Sequence, residues 1–426
     1  MVRAHGMKVP GPRSRELAQA LRRVESRNVT YVDERLPVFW ESAHGATVVD
    51  VDGNRFTDLT AGFGVANAGH GNAAVAAAIA HQAGVLMHAM GDVHPARVKA
   101  DLLDKLAQIA PAGLGKTFLA STGAEAIEAA IKTAIVATGK SSFAAFRGAY
   151  HGLSLGTLEV GGIEKFRKPF RQVLPNRAVL LDFPREGDDA DAHLEIARRT
   201  LEARDDLAAL LIEPIQARGG HFVPPRGYVR GLRDLCTSLG ILLIFDEIYT
   251  GFGRTGSMFA CMAEDAVPDI LCIGKALGNG FPISAAIASP SIMDAWPESP
   301  GEALHTSTYL GNPMACAAAI ATIGEVERLR LPQRAAALGS LIEPHFEQLR
   351  ANGKIVDVRG RGLMWGLELR NPALAARAVK DALAAGVIVV QAGAEGNVLS
   401  VTPPLVIGEE ELLHAIDILA GCLSAP

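Results

Sequence analysis

Two short runs of apolar residues, each ending at a polar one, organise the middle of this chain. Residues 241–245 are all apolar, and they lead directly to Asp246 and Glu247. A second apolar run, within residues 269–274, leads directly to Lys275. Continuous apolar runs of this length are typical of strands that a parallel sheet buries on both faces. Because active sites lie at the carboxyl ends of such strands, the pattern predicts an acid and a lysine at one functional edge.

The same pattern recurs earlier in the chain. Residues 208–212 predict a buried strand that ends at Glu213, and residues 143–146 predict another that leads to Tyr150 and His151. His151 has no metal-ligand partner at a suitable spacing, so it is predicted to pack rather than to catalyse. Strands that alternate with helical patterns predict an α/β fold.

A third feature is a helix start that suits an anion. Ser121, Thr122 and Gly123 precede a helical pattern and supply a cap with exposed backbone N–H groups. Unpaired donors and the helix dipole favour an anion at such a position by roughly 0.3 to 2 kcal/mol. Without Lys275, an ordinary capped helix would be the preferred interpretation.

Lys275 and Asp246 together indicate one specific chemistry. Gly274 and Gly278 flank the lysine, and a tight, partly apolar pocket there would lower its pKa and free the amine to form a Schiff base. An aspartate at the neighbouring strand end can hold a pyridine nitrogen protonated, so that pyridoxal phosphate withdraws electrons from a substrate carbanion. Either residue alone is more simply a solvated lysine or a strand cap, but the pair favours this cofactor.

The motifs around these two residues resemble the signature of a known family. Residues 246–256, DEIYTGFGRTG, and residues 274–282, GKALGNGFP, are similar to those of class III aminotransferases, and the resemblance extends from about Leu36 to Leu419. It implies the α/β fold type I of pyridoxal-phosphate enzymes, with a mostly parallel central sheet flanked by helices. It also implies ping-pong transfer of an amino group from an amine or amino acid to a keto acid or aldehyde, through a Schiff base at Lys275.

The resemblance assigns roles to further residues. At the cofactor it adds Gly123 and Ala124 in the phosphate cup, Tyr150 stacked on the ring, and Ile248. It implies a homodimer in which Thr308 reaches the phosphate held by the neighbouring subunit. Two aromatic residues are candidates for the wall of the substrate pocket, namely Trp40 and Phe63.

Departures from the family bear on the cofactor and the substrate. Tyr249 stands where many relatives have a glutamine that touches the ring hydroxyl of the cofactor. In the ornithine and 4-aminobutyrate enzymes a glutamate partners an arginine that clamps the acceptor's carboxylate, and this chain has Arg218 and Ser400 at those two places. The positive charge has therefore moved across the pocket. Because no glutamate stands opposite Arg218, we expect this arginine to bind a carboxylate. The other interpretation is that Arg218 points to solvent from a loop beside Gly219 and Gly220.

The same resemblance divides the chain into three segments. Residues 1–57 are expected to contribute to a small domain, and residues 58–318 are expected to form the large domain that binds pyridoxal phosphate. Residues 319–426 are expected to complete the small α+β domain, with strands within residues 356–369 and 386–390.

Composition and charge argue against several classes of partner. The net charge of −5 shows no basic excess of the kind that a nucleic-acid partner usually requires. No run approaches the roughly 18 apolar residues of a membrane span, and the basic N-terminus lacks the apolar stretch of a secretory signal. The cysteines are odd in number and include no Cys-x-x-Cys pair, which favours reduced thiols over disulfides or a metal site. We expect a cytoplasmic protein without a nucleic-acid, membrane or metal partner.

Two alternative functions stay open. The same motifs serve pyridoxal-phosphate-dependent racemases, aminomutases and decarboxylases, since fold does not fix function. A non-catalytic nucleotide-binding or ligand-binding protein is the other alternative. Residues 110–117, APAGLGKT, nearly match a P-loop, but a helix is predicted before them and a strand after them, which reverses the P-loop order. Residues 251–256, GFGRTG, match the dinucleotide motif, but no convincing helix follows.

Overall fold

The structure, a computed structural model, describes residues 9–423. Its strands are β1 (Trp40–His44), β2 (Thr47–Asp50), β3 (Arg55–Asp58), β4 (Lys116–Ala120), β5 (Ser142–Phe146), β6 (Val179–Leu181), β7 (Leu207–Ile212), β8 (Leu242–Asp246), β9 (Ile270–Ile273), β10 (Ser284–Ala288), β11 (Asp357–Arg361), β12 (Met364–Glu368), β13 (Val387–Ile388), β14 (Val390–Ala392) and β15 (Val398–Val401). Its α-helices are α1 (Pro12–Val24), α2 (Ala61–Gly64), α3 (Ala73–Val85), α4 (Arg97–Ile109), α5 (Gly123–Thr138), α6 (Leu155–Val160), α7 (Glu164–Arg167), α8 (Ala190–Glu202), α9 (Ala217–Gly220), α10 (Tyr228–Leu239), α11 (Ala260–Ala263), α12 (Pro290–Met293), α13 (Pro313–Arg328), α14 (Leu331–Ala351), α15 (Pro372–Ala384) and α16 (Glu409–Cys422). Short 3₁₀ helices span Lys168–Phe170 and Lys275–Leu277.

The central sheet orders its strands β4-β10-β9-β8-β7-β5-β6. The pairs from β9 through β6 are parallel, whereas β10 runs antiparallel to both of its neighbours. This confirms the prediction of an α/β fold with a mostly parallel sheet. Because β7, β8 and β9 are adjacent, Glu213, Asp246 and Lys275 share one edge at or just beyond their carboxyl ends.

Helices cover both faces of this sheet, and this explains why its central strands are apolar throughout. Every residue of β7 is buried. Ile244 of β8 belongs to a core cluster with Ile127 of α5, and the next residue, Phe245, belongs to a cluster with Leu232 of α10. Successive side chains of a strand point to opposite faces, so β8 is packed from both sides. Burial of each large apolar side chain contributes roughly 1.5 to 3 kcal/mol, which holds the strand end at Asp246 in place.

Smaller sheets join the two ends of the described chain. One has the order β1-β2-β3-β13, and another has the order β11-β12-β15-β14. Thr57 of β3 pairs in parallel with Val387 of β13, so an N-terminal strand completes a sheet of the C-terminal region. A small domain built from both ends of the chain requires such a pairing, but the division after residues 57 and 318 stays a prediction. Residues 1–8 and 424–426 of the outer segments lie outside the described residues.

The expected strand within residues 386–390 is divided between these two sheets. Val387 and Ile388 form β13, and Val390 begins β14. The chain therefore changes sheets at Val389. An apolar run predicts extended backbone, but it does not say which partner each residue pairs with.

Some features are absent from the part of the chain that the structure describes. Among the helices of residues 9–423, none has both the length and the apolar character needed to cross a bilayer. Within the same residues, no group of three or more His, Cys, Asp or Glu side chains is arranged to hold a metal ion. The cysteines are free thiols, and all except Cys422 are buried.

Candidate active site

A cavity of about 510 Å³ lies at the carboxyl edge of β7, β8 and β9. The predicted site residues that line it are Phe63, Gly123, Ala124, Tyr150, Arg218, Asp246, Ile248 and Lys275. They come from distant segments of the chain, and the order of the sheet brings them together.

Lys275 enters this cavity from the 3₁₀ turn that follows β9. Its backbone has a φ of 43°, in the left-handed region that a residue with a side chain rarely adopts. Such strain clusters at functional sites, where the surrounding structure imposes it. Burial lowers the pKa of Lys275 to about 8, although the carboxylates of Asp246 and Glu213 act in the opposite direction. A large share of the amine is therefore neutral, and so nucleophilic, in mildly alkaline solution.

Asp246 is 5% exposed and ends β8 inside the cavity. The Nδ1–H of His151 donates to Asp246 Oδ2 over 2.8 Å, and the backbone N–H of Ile248 donates to Oδ1 over 3.1 Å. Burial opposes a charge on His151, but its hydrogen bond to Asp246 and the nearby negative charges raise its pKa. One oxygen of Asp246 is therefore fixed by a buried imidazole.

The partner of His151 was not evident from the sequence. The expectation that this histidine only packs is incomplete, because it also holds the acid at the centre of the site. Its partner lies 95 residues away, so spacing along the chain gives no signal. A usable signal was the shared edge of the sheet, since β5 and β8 both end there.

Glu213 follows β7 and is 5% exposed. Its carboxylate accepts hydrogen bonds from the backbone N–H groups of Tyr150, at 2.9 Å, and Ala217, at 3.0 Å. Burial and the neighbouring Asp246 raise the pKa of Glu213 to about 7, against the effect of His151 and these hydrogen bonds. Glu213 thus ties the loop that carries Tyr150 to the start of α9.

The start of α5, where a phosphate site is predicted, faces the cavity. Thr122 caps the helix, and its hydroxyl and the side chain of Glu125 form a reciprocal capping box. That box uses the N–H of Glu125 but not those of Gly123 and Ala124, which line the cavity and which a helix start leaves without an intrahelical acceptor. A Cβ at position 123 would lie 3.0 Å from Ile248 Cδ1, so the glycine keeps this helix start open.

Arg218 lies in the short helix α9 and lines the cavity, half-buried. Its Nη1 donates to the backbone carbonyl of Gln391 at 3.4 Å, a long hydrogen bond. Among residues 9–423, no carboxylate forms an ion pair with Arg218. The arginine is therefore a charged donor whose fork geometry remains available to a ligand.

Position 400 is neutral and faces the same cavity. The Oγ of Ser400 is 2.8 Å from Nε2 of His221, and both side chains are buried. Burial, together with nearby cations that include Arg359 and Arg254, lowers the pKa of His221 to about 3. His221 is thus uncharged at ordinary pH, and it is a pocket residue that the sequence did not indicate.

Two predicted residues do not line the cavity that the described residues form. Trp40 is 43% exposed and packs edge-on against His70, with ring centroids 5.6 Å apart. Thr308 is exposed to solvent. A single chain thus supplies the cofactor and arginine parts of the predicted site but not these two contacts.

The structure also bears on the two nucleotide-binding motifs. Residues 110–117 follow the helix α4 and run into β4, which is the order opposite to that of a P-loop, as predicted. Residues 251–256 are followed by α11, which has only four residues. Arg254 of this motif is fully buried and donates to the backbone carbonyls of Leu363 and Pro403. The motif therefore links parts of the fold and does not open a helix toward a dinucleotide.

The residues present fit pyridoxal phosphate. An amine, a buried carboxylate, an aromatic face and a pair of helix N–H groups meet in one cavity. These are the groups that would hold, respectively, the aldehyde, the pyridine nitrogen, the ring and the phosphate of that cofactor.

Comparison with known proteins agrees with this site. The family described as aminotransferase class-III matches residues 29–423. An acetylornithine aminotransferase from Methanothermobacter thermautotrophicus is 38% identical over 402 residues, covering 94% of this chain and 97% of that protein. A putrescine aminotransferase from Pectobacterium atrosepticum is 36% identical over 398 residues, covering 92% of this chain and 83% of that protein.

A solved structure extends the similarity to three dimensions. An amine transaminase from an uncultivated Pseudomonas species, in its PLP-bound form, has a TM-score of 0.86 and is 31% identical, covering 93% of this chain and 98% of that chain. These relatives favour amino-group transfer over racemisation, aminomutation or decarboxylation. The chain belongs to the class III aminotransferases, and it is an enzyme that uses pyridoxal phosphate to transfer an amino group between an amine or amino acid and a keto acid.

Proposed function

We propose that Lys275 is the cofactor lysine and that Asp246 is the acid at the pyridine nitrogen. One observation carries the proposal, namely that Asp246 ends β8, Lys275 follows the adjacent parallel strand β9, and both residues line a single cavity. Pyridoxal phosphate, when bound, supplies an electrophilic carbon that carries the amino group and a ring that withdraws electrons from the substrate. Lys275 moves the proton at the substrate's α-carbon, and Asp246 keeps the ring nitrogen protonated.

The remaining cofactor contacts in this proposal come from residues around the same edge. Tyr150 and Ile248 would hold the ring, and the N–H groups of Gly123 and Ala124 would bind the phosphate. Their positions in the cavity lining support these roles. His151 acts through Asp246 as a positioning residue, since its Nδ1–H fixes one carboxylate oxygen.

We propose that Arg218 binds a carboxylate of the substrate. The guanidinium is half-buried in the cavity and has no acidic partner among the described residues. A carboxylate ligand could form two parallel hydrogen bonds with it. Phe63, at the rim of the cavity and 64% exposed, supplies an apolar wall. The proposed substrates are therefore amino acids or amines with a carboxylate, and keto acids.

We propose that the working unit is a homodimer to which Thr308 contributes in trans. Exposed apolar side chains lie in the segment of Thr308 and in a segment packed against it, and they support the idea, because such a patch usually marks an interface. Its members are Leu86, Met87, Met90, Val93, Leu304 and Tyr309. The two segments that carry them are connected, since His88 packs against Tyr309 with ring centroids 5.7 Å apart.

We propose that the protein is cytoplasmic, because its cysteines are free thiols. The buried thiols are free, and burial raises the pKa of Cys236 to about 12, so they are unreactive core residues. Free thiols are usual where glutathione keeps them reduced, which supports the cytoplasm. We also propose that the chain divides into domains after residues 57 and 318, as the sequence predicts.

Covalent mapping tests the proposed lysine. Purified enzyme should be yellow, and borohydride should fix the cofactor on the peptide that contains Lys275. In Lys275→Ala, borohydride should leave no cofactor on the protein. Cofactor fixed at a different lysine, in either protein, would refute the assignment.

Subunit mixing tests the dimer. Lys275→Ala and Thr308→Ala should each be strongly impaired as homodimers. In the mixed dimer, one site combines the intact lysine of one subunit with the intact threonine of the other, so activity should return. If mixing restores nothing although native mass spectrometry detects the heterodimer, Thr308 does not act in trans.

A further inference from the structure

Tyr249 lies directly beneath the amine of Lys275. The Nζ atom is 3.9 Å from the centroid of the tyrosine ring, over its face. The face of an aromatic ring carries partial negative charge and attracts an ammonium group, the more so when water is excluded. Burial raises the pKa of Tyr249, so the phenol itself stays neutral. The contact thus joins a cation to a neutral ring.

A chain of hydrogen bonds fixes the orientation of this ring. The hydroxyl of Thr402 donates to the backbone carbonyl of Thr60 at 3.3 Å, and the hydroxyl of Tyr249 lies 3.0 Å from the same Thr402 oxygen. Because the threonine hydrogen is already used, the tyrosine donates and the threonine accepts. The hydrogen of the tyrosine hydroxyl is therefore directed at Thr402. What Tyr249 offers to Lys275 is its face.

Gly64 provides the room for the ring. Its φ is 75°, in the left-handed region, and a Cβ at this position would lie 2.8 Å from Cε1 of Tyr249. The ring also packs against a small apolar cluster that contains Ile215 and Met364. It is thus enclosed by backbone and apolar side chains as well as tethered at its hydroxyl. These independent constraints hold one ring face under one amine.

We propose that Tyr249 is a positioning residue whose ring face holds the protonated amine of Lys275 whenever that amine is not bonded to the cofactor. The role in turnover rests on the proposed function of Lys275, whereas the contact itself does not. During transfer the lysine must be released, stay close to the substrate's α-carbon and carry a proton. A ring face suits this task because it attracts the ammonium without accepting its proton, and it attracts the neutral amine much less.

Other groups that face Lys275 include some that raise its pKa and some that lower it. Asp246 and Glu213 favour its charged form, whereas Arg254 disfavours it. His221 packs edge-on to Tyr249, with ring centroids 6.4 Å apart, and it stays neutral because burial lowers its pKa to about 3. The ring therefore adds an attraction that does not depend on the protonation of any neighbouring group.

The test measures the pKa of the Lys275 amine in cofactor-free enzyme. Competitive labelling with acetic anhydride across a pH series, read by mass spectrometry of the Lys275 peptide, gives the pH at which the amine loses its proton. The measurement is made on the wild type, on Tyr249→Phe, and on proteins with phenylalanine analogues of increasing ring fluorination at position 249. Fluorine withdraws charge from the ring face with little change of shape. We expect the midpoint to be similar in wild type and Tyr249→Phe and to fall stepwise with fluorination, by about half to one pH unit in total.

Turnover provides a second readout. Loading the same proteins with cofactor should show kcat falling in the order of fluorination while KM stays nearly constant, because the ring holds the lysine and not the substrate. Thr402→Val, which keeps the side-chain shape, should behave like Tyr249→Phe in both midpoint and kcat, because each variant loses the hydrogen bond at the tyrosine hydroxyl. The proposal is overturned if the titration midpoint of Lys275 does not change with fluorination. It is also overturned if Tyr249→Phe lowers this midpoint as much as the most fluorinated analogue does. Neither result would affect the identity of the cofactor lysine, which borohydride mapping decides separately.

Discussion

The two ends of the active-site cavity differ in whether their charged side chains have partners within the protein. At the cofactor end, defined by Asp246, Glu213 and His151, both carboxylates accept hydrogen bonds from fixed N–H groups. At the substrate end, defined by Arg218, His221 and Ser400, the guanidinium of Arg218 has no carboxylate partner among the described residues, and His221 and Ser400 carry no charge. Leaving a half-buried charge unpaired is costly unless a ligand pairs it. The first end is built to hold a permanent group, and the second is built to receive a transient one.

The largest effect is expected where the cofactor end is broken. Asp246→Asn is nearly isosteric but removes the negative charge beside the pyridine nitrogen. We expect cofactor binding to be partly retained and kcat to fall by roughly a thousandfold or more, since electrostatic groups at the reacting centre have effects of this size. Cofactor content by absorbance and single-turnover rates would separate the two effects. Unaltered turnover in a fully loaded variant would show that Asp246 does not have this role.

A smaller effect on kcat is expected at His151, which acts on the cofactor only through Asp246. His151→Leu leaves one oxygen of Asp246 without its donor, and charge-assisted hydrogen bonds contribute roughly 1.5 to 3 kcal/mol. We therefore expect kcat to fall by about 10- to 100-fold. His151→Asn is the matched control, because its amide N–H can occupy the place of Nδ1–H and should recover most of the rate. Equal losses in both variants would mean that His151 acts only by filling space.

The sequence predicted the cofactor end far better than the substrate end, for a physical reason. Asp246 and Lys275 terminate apolar runs, and a strand packed on both faces fixes the position of the residue that follows it. The pairing of neighbouring strands then brings the acid and the lysine together without any knowledge of loops. The hydrogen bond between His151 and Asp246 escaped prediction because it depends on side-chain rotamers across 95 residues of chain.

The substrate end depends on three segments that no periodicity connects. Arg218 lies in a four-residue helix, Ser400 lies in β15, and the carbonyl that accepts from Arg218 belongs to Gln391 in β14. Short helices and strand register are the least determined by local pattern. Trp40 illustrates the limit, since an aromatic near a strand was a reasonable pocket candidate but packs on His70 outside the cavity. Resemblance to a family supplied the candidates here, and local pattern alone would not have done so.

At the substrate end, the expected effect of removing Arg218 depends on the charge of the substrate. Arg218→Ala should raise the KM for keto acid or amino acid substrates by roughly tenfold or more while hardly affecting an uncharged amine or aldehyde. Arg218→Lys is the control, because it keeps the charge but loses the planar fork and should recover only part of the affinity. The KM values for matched charged and uncharged substrates are the measurement. Equal changes for both substrate types would place the carboxylate site elsewhere.

The smallest effect concerns the pH dependence of stability at Glu213. Its pKa rises from 4.5 to about 7 on folding, chiefly through burial and then the charge of Asp246. The unfolded chain therefore loses this proton at lower pH than the folded protein does. Stability from this group is complete below pH 4.5 and is lost as pH rises through about 7. Between pH 6 and pH 8 the loss amounts to about 1 kcal/mol.

Glu213→Gln removes the titration while keeping an oxygen that can accept one of the two backbone N–H groups. Urea unfolding of cofactor-free protein at pH 6 and at pH 8 gives the change in unfolding free energy with pH, and groups common to both proteins cancel in the difference. We expect the wild type to lose more stability than Glu213→Gln over this interval, even though the variant is less stable at both pH values. The opposite sign, with the wild type gaining on the variant as pH rises, would mean that the folded state favours the ionised carboxylate. The hydrogen bonds from Tyr150 and Ala217 would then outweigh the cost of burying the charge of Glu213.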